Sequence, residues 1–300
     1  MASIAQPVSK KPLTIMRCTR LFPVLAVLAA GIFTTAFKTV NYLDGNDVMA
    51  KVKETHGADA EIDIVKLVTV TGSNDPVTRI LLSAVQKNAQ GNFLYMLRVL
   101  SPEDEKGVSL LVLEKDGGDV DQYLYIPALG PPKKITPEGR SGSFMGSDFT
   151  YEDMRKEKPG EWTYSRLEDE KVENTDCYVI LSDPANKERE KITGYTDRLI
   201  YVDKVTYDIR RIQFYDSKHK LIKEFDAYDY EKTNNDTQRP KRGEMKNETK
   251  KTNTVMALLN SRLNKPLDDK FFTLDTLQHW GGDQDKLFED LVPKLPAKTP

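Results

Sequence analysis

Cysteine is scarce in this chain: two residues in 300, Cys18 and Cys177. Two thiols supply no disulfide framework, and if Cys18 leaves with the N-terminal segment described below, Cys177 stands alone. A core of ordinary hydrophobic packing must then hold the fold. Histidine is almost as rare. His56, His219 and His279 lie far apart, none with a second ligand at a spacing typical of a zinc site, so no metal is expected. No excess of one charge exists either: 44 Lys and Arg stand against 46 acids, scattered without a basic stripe, which argues against a nucleic-acid partner. Ser143 sits in G-S-F-M-G, displaced by one position from a G-x-S-x-G elbow, so no nucleophile is supported there. The turn DGGD at 116–119 lacks the spaced ligands and closing glutamate of a calcium loop. Asp148, Glu152 and Asp153 are explained by a short helix start capped by Ser147 rather than by catalysis. Cys177, flanked by Tyr178, Val179 and Ile180, reads as a small buried hydrophobe. No catalytic residue and no cofactor are expected, so an enzyme is not the favoured class.

Only one long apolar run occurs, LFPVLAVLAAGIF, preceded by Lys10, Lys11, Arg17 and Arg20 and free of acids until Asp44. Charge followed by grease is the order of a secretory signal, and Thr34-Thr35-Ala36 offers small residues for cleavage. Broken by Pro23 and Gly31, the run is marginal for spanning a bilayer core of about 30 Å. Cys18 precedes it and is therefore not a lipid-attachment residue. A signal over residues 1–36 and a periplasmic destination are expected, with a retained anchor as the alternative. Cleavage removes four positive charges and moves the net charge from −2 to −6.

What the sequence has in quantity is strand. IDIVKLVTVT, VTRILLSAVQK, NFLYMLRVL, VSLLVLEK and VDQYLYIP are separated by short turn-forming stretches. A second set runs from WTYSRLE through TNTVMALLN, with a hairpin turn around Ser217 to Lys220 and a last short strand in PLDDKFFTLD. Connections this short force antiparallel neighbours. About a dozen strands with few helices, and no internal repeat that would indicate a propeller, predict one large curved antiparallel sheet. DGNDVMAKVKETHG predicts a short amphipathic helix, serving either as a plug over a cavity or as packing on the sheet. The tail from Gly281 is expected to be loose.

Several strands break the one-wet-face rule. ILLSAV, FLYMLRVL and VSLLVL carry apolar side chains on both faces, so both faces must meet something apolar. Either a hydrophobic cavity filled by a ligand or a short lid lies on one side, or helices not evident in the sequence cover it. Tyrosine pairs at 123/125 and 228/230 suit cross-strand packing and equally an apolar chain with a polar head.

The remaining signature is RSGSFMGSDFTYEDM at 140–154, in which two glycines bracket two apolar residues. With YLYIPALGPPKKI before it and WTYSRLEDEKVENTDCYVILSDP, YVDKVTYDIRRIQFYD and KLIKEFDAYDY after it, the chain resembles the LolA-like outer membrane lipoprotein-sorting family over residues 45–275. Tyr125, Pro127, Ala128 and Leu129 match one element with Ile126 inserted, and Gly142 to Asp153 carry the other; Gly130-Pro131-Pro132 departs where a basic stretch is common. The resemblance implies an incomplete barrel of about eleven strands over residues 45–280, lidded by short helices, enclosing a cavity for acyl chains. It implies a monomeric periplasmic carrier of a lipoprotein or lipid, associated with an RND-type inner-membrane exporter. The alternative is a non-enzymatic interaction subunit of such an exporter without lipid cargo. On this reading Leu82, Leu97, Leu111 and Tyr125 line the cavity, Phe144, Met145, Phe149 and Met154 form its lid, and Gly142 and Gly146 are the hinges. The lid either yields to an acyl chain or caps the core permanently.

Overall fold

Alternation of apolar residues across short turns builds a single antiparallel sheet. In the computed structural model, which describes residues 43–72, 74–118, 120–232 and 238–292, the strands are β1 (Ala60–Thr71), β2 (Val77–Lys87), β3 (Phe93–Ser101), β4 (Ser109–Glu114), β5 (Val120–Tyr125), β6 (Lys133–Ile135), β7 (Trp162–Arg166), β8 (Glu170–Val172), β9 (Thr175–Pro184), β10 (Asp197–Asp203), β11 (Ile209–Tyr215), β12 (Leu221–Lys232), β13 (Gln238–Asn247) and β14 (Thr252–Leu263). The signal-sequence reading, with Cys18, falls outside the described residues. The sheet order is β6-β5-β4-β3-β2-β1-β14-β13-β12-β11-β10-β9-β7, with β8 beside β9. Two meanders therefore join where β1 pairs β14, and the end strands β6 and β7 do not pair, which leaves the barrel incomplete. The fourteen strands exceed the dozen expected because β6 and β8, three residues each, carry no alternation to read.

The chain must connect β6 to β7, the two ends of the sheet, and residues 136–161 make that connection. The signature lies inside it. A connection of this length without strands or long helices is uncommon in a compact domain and commonly functional.

Both sheet faces are apolar, as the doubly hydrophobic strands predict, and different segments cover them. On the front face Val65, Leu67, Leu81, Tyr95, Leu97, Val99, Leu110 and Val112 meet Phe144 and Phe149 from the connection. On the back face Ile62, Ile64, Leu82, Met96 and Leu111 meet Phe271, Phe272, Leu277, Phe288 and Leu291 from the C-terminal segment. Covering structure absent from the sequence reading thus accounts for one face. PLDDKFFTLD, expected as a strand, instead forms a 3-10 turn at Asp269–Phe271 and helix α3 (Leu274–Gln278), the latter capped by Thr273. Phe271 and Phe272 are adjacent and both buried on one side, which a strand cannot arrange because neighbours point oppositely. Where the tail was expected to loosen at Gly281, helix α4 (Gly282–Lys286) follows, and Phe288 packs on Trp280 and Phe271.

The predicted N-terminal helix is α1 (Gly45–His56), started by a capping box between Asp44 and Asp47. Val48 and Val52 pack on Ile180, Ile200 and Val202. Ile212 touches both this cluster and the front core, so α1 and the connection share one face. Gly45 is required by contact: a Cβ there would lie 2.7 Å from the Tyr164 backbone. Of the two expected roles, plug over a cavity or packing on the sheet, the contacts of Val48 and Val52 are those of packing on the sheet.

Candidate functional site

The signature folds as a tight hairpin-like loop. The Phe144 N–H donates to the Phe149 carbonyl (2.8 Å), the Tyr151 N–H to the Gly142 carbonyl (3.1 Å), and Ser143 and Thr150 bridge. Its tip turns through the left-handed region at Met145 (φ 50°) and Gly146 (φ 73°). Glycine at 146 relieves that turn; Gly142 has φ −68° and serves an extended position. The loop aims Phe144 and Phe149 into the sheet, where Phe144 stacks edge-on with Tyr151 and Phe149 with Phe225. Met145 and Met154 pack at the margin of the same core.

Polar residues of the motif fasten it to the sheet. Asp148, 3% exposed, accepts from the hydroxyls of Thr252 and Thr254 on β14, while its own N–H donates to Thr254 Oγ1 at 3.0 Å. Lys223 Nζ donates to the Asp148 carbonyl (2.7 Å) and to Tyr195 Oη (3.1 Å), and that hydroxyl donates to Asp153 (2.9 Å). Burial lowers the Lys223 pKa, opposed by Asp153 and Asp148. Burial, with the Asp153 carboxylate beside it, raises that of Tyr195. Asp153 and Thr150 exchange hydrogen bonds as a capping pair. Glu152 is bound by Arg155 Nε (2.6 Å) and Arg189 (2.5 Å), and Glu161 by Arg155 (2.5 Å). Burial disfavours the charge on Arg155, but the Glu152 and Glu161 carboxylates outweigh that cost and its pKa is raised. The three acids of the motif do more than cap a helix start. They are anchors, each satisfied by a group far away in sequence, which is why local reading assigned them only to a helix start.

Between the loop and strands β11 to β13 lies a cavity of about 190 Å³. Its apolar wall is Phe149, Ile212, Phe214, Phe225 and Met245, and its polar wall carries Arg155, Glu157, Trp162, Arg189 and Arg198. Ligand pockets commonly span about 300–1,000 Å³, so the chamber is small while the loop occupies the face.

The structure divides the sequence-predicted residues. Leu97 faces front, in one core with Phe144, Met145, Phe149 and Met154. Leu82, Leu111 and Tyr125 face back, against the C-terminal segment, because each is one position out of register with the front-facing residues of its strand. The sequence reading missed Ile212, Phe214, Phe225 and Met245; their strands were recognised, but nothing local told which face meets the loop. His219 and His279 are exposed, each beside one aspartate, and no group of three metal-ligating side chains occurs among the described residues. None of the described helices is long and apolar enough to cross a membrane.

The open antiparallel sheet has the lipoprotein-sorting, LolA-like class of fold. An outer membrane lipoprotein-sorting protein domain from Vibrio parahaemolyticus is similar, with a TM-score of 0.72, 25% identity, and 78% of this chain and 98% of that one covered. A DUF1329 family protein from Desulfovibrio piger aligns with a TM-score of 0.72 at 23% identity over 77% of this chain and 97% of its own. A LolA superfamily protein from Nitrosomonas europaea aligns with a TM-score of 0.63 at 17% identity over 77% and 98%. The profile of a family described as "uncharacterized protein" matches residues 91–279. No curated protein matches the sequence significantly. The chain belongs to the family of that profile, and its fold is the one seen in the lipoprotein-sorting and LolA superfamily structures.

Proposed function

We propose that the protein is a periplasmic carrier that shelters acyl chains of a lipoprotein or lipid on the front face of its sheet, and that loop 142–154 is the lid. The observation carrying this reading is that the loop fills an apolar face it does not form, through Phe144, Met145, Phe149 and Met154, and leaves a cavity behind Phe149. Burying Phe144 and Phe149 fully is worth about 3–6 kcal/mol at 1.5–3 kcal/mol each, and the half-buried Met145 and Met154 add to that. An acyl chain of a dozen methylenes gains about 10 kcal/mol at 0.8 kcal/mol per methylene. The two are of one order, so exchanging lid for acyl chain is nearly balanced, as a carrier that must also release requires. The exporter partnership belongs to the same proposal: an RND-type inner-membrane protein would stand on one side of the transfer.

A fluorescent fatty acid such as 11-dansylaminoundecanoic acid tests the reading. The wild type should enhance its emission saturably, and Phe225→Asp, which places a charge in the cavity wall, should weaken binding at least tenfold. Equal titrations for both proteins would reject the front face as the site.

A further inference from the structure

Beside the acyl cavity lies a second and more polar one, of about 470 Å³, between β5, β6 and helix α2 (Lys187–Thr193). Arg155 and Arg189 line both, so the two cavities share a wall. The second is cationic in a particular way. Lys115 and Lys134 each lie 2.6 Å from Asp121, which holds the Asp121 carboxyl down to about 2. Arg155 and Arg189 share Glu152 and Glu161. Arg140 also lines the cavity and is 7% exposed, yet its one hydrogen bond among the described residues runs from Nη2 to the Val120 carbonyl. A guanidinium has five N–H donors, and neither Arg140 Nε nor Arg189 Nε has a partner. Arg155 and Arg189 thus take up Glu152 and Glu161, the two lysines take up Asp121, and Arg140 is left with Glu152 and Asp121 near enough to favour its charge but bonded to neither. The remaining acid of the lining, Glu188, is exposed and forms no ion pair with any of the three arginines. A buried guanidinium whose one direct hydrogen bond goes to a carbonyl is costly to desolvate, and an anion bonded to its open donors would offset that cost.

We infer that this cavity is an anion site, centred on Arg140 and walled by Arg155 and Arg189, for the phosphate-type headgroup of the amphiphile whose tail occupies the adjoining apolar cavity. The inference rests on the carrier reading and narrows it to anionic amphiphiles. Arginine forks suit phosphate oxyanions, and charge-assisted bonds in a partly buried site discriminate strongly against a neutral head. Since Arg140 begins the connection that carries the lid, headgroup binding would also steady the hinge end of the loop.

Isothermal titration with three probes tests it: 1-palmitoyl-lysophosphatidylglycerol, monopalmitoylglycerol and inorganic phosphate, each below micelle-forming concentration, on the wild type, Arg140→Gln and Arg140→Lys. The wild type should bind the anionic lipid about tenfold more tightly than the neutral one. Arg140→Gln should bring that ratio to about one, leaving monopalmitoylglycerol affinity and the melting temperature unaltered or raised, and Arg140→Lys, which keeps the charge but not the fork, should keep only part of the preference. Equal binding of both lipids by the wild type overturns the anion site while the carrier reading stands. The same holds if inorganic phosphate binds in an Arg140-dependent way without any lipid preference, which marks a free-phosphate site. Failure of both lipids to bind overturns both.

Discussion

Asp148 shows how one residue couples the signature loop to the sheet. It is buried, it lies at the turn of the loop, and its partners Thr252 and Thr254 sit more than a hundred positions away on β14. Replacing it with alanine leaves the buried Thr254 hydroxyl and the half-buried Thr252 hydroxyl short of an acceptor and should cost about 1–3 kcal/mol of stability. On the proposed lid reading it also removes a bond that an opening loop would have to break, so acyl-probe affinity should rise rather than fall. Denaturant unfolding and probe titration on Asp148→Ala check both signs; lower stability with weaker probe binding would mean that the closed loop is needed for binding. Residue identity was legible in the sequence here, since the motif stood out, but the role was not. A carboxylate's partner across the sheet leaves no local signal, and capping by Ser147 was the nearest explanation at hand. In the structure Ser147 Oγ instead donates to the Phe144 carbonyl at 2.7 Å.

At the scale of elements, the strands were readable from alternation and turn chemistry, and so was the excess of apolar surface. Which face served which purpose was not. Leu82 and Leu111 belong with Phe271, Phe288 and Leu291, so their role is to dock the C-terminal segment. Leu82→Ala should therefore cost about 2–5 kcal/mol of stability while leaving acyl-probe affinity per folded molecule unchanged. Thermal unfolding alongside probe titration separates these, and a selective loss of probe binding would return Leu82 to the cavity. The C-terminal cover was missed because its helices are five residues long, too short for periodicity, and because FF within a polar stretch reads as easily as strand.

A different element-scale device ties β11, β12 and β13. Asp226 on β12 is nearly inaccessible; burial raises its pKa, but bonds from Arg211 Nε (2.6 Å) and Lys246 Nζ (2.9 Å) outweigh that and lower it. A carboxylate whose folded pKa is depressed adds stability at pH above its unfolded value of about 3.9, and this is lost as pH falls through the folded value. The stability gap between wild type and Asp226→Asn should hold constant from neutral pH to about 5 and narrow below about 4. Urea unfolding at stepped pH reads it, and a gap that widens in acid would contradict the pairing.

For the whole molecule, topology explains what composition only suggested. Joining two meanders through β1 and β14 leaves the ends of the sheet apart, and the chain must travel between them; the path it takes brings the signature over the front face. Cover and sheet are thus products of one connectivity. Scarce cysteine fits the same picture: Cys177 is fully buried, its thiol raised by burial and free, so among the described residues packing and polar anchors hold the sheet without a disulfide. The claim that gives these parts a purpose is that the front face exchanges its own lid for a guest hydrocarbon. Native mass spectrometry of the protein extracted gently from its own envelope tests this most directly. The account predicts a population heavier than the chain by the mass of an acyl lipid or lipoprotein, released on collisional activation and depleted in Phe225→Asp. A single mass equal to the bare chain, for wild type and variant alike, would contradict it.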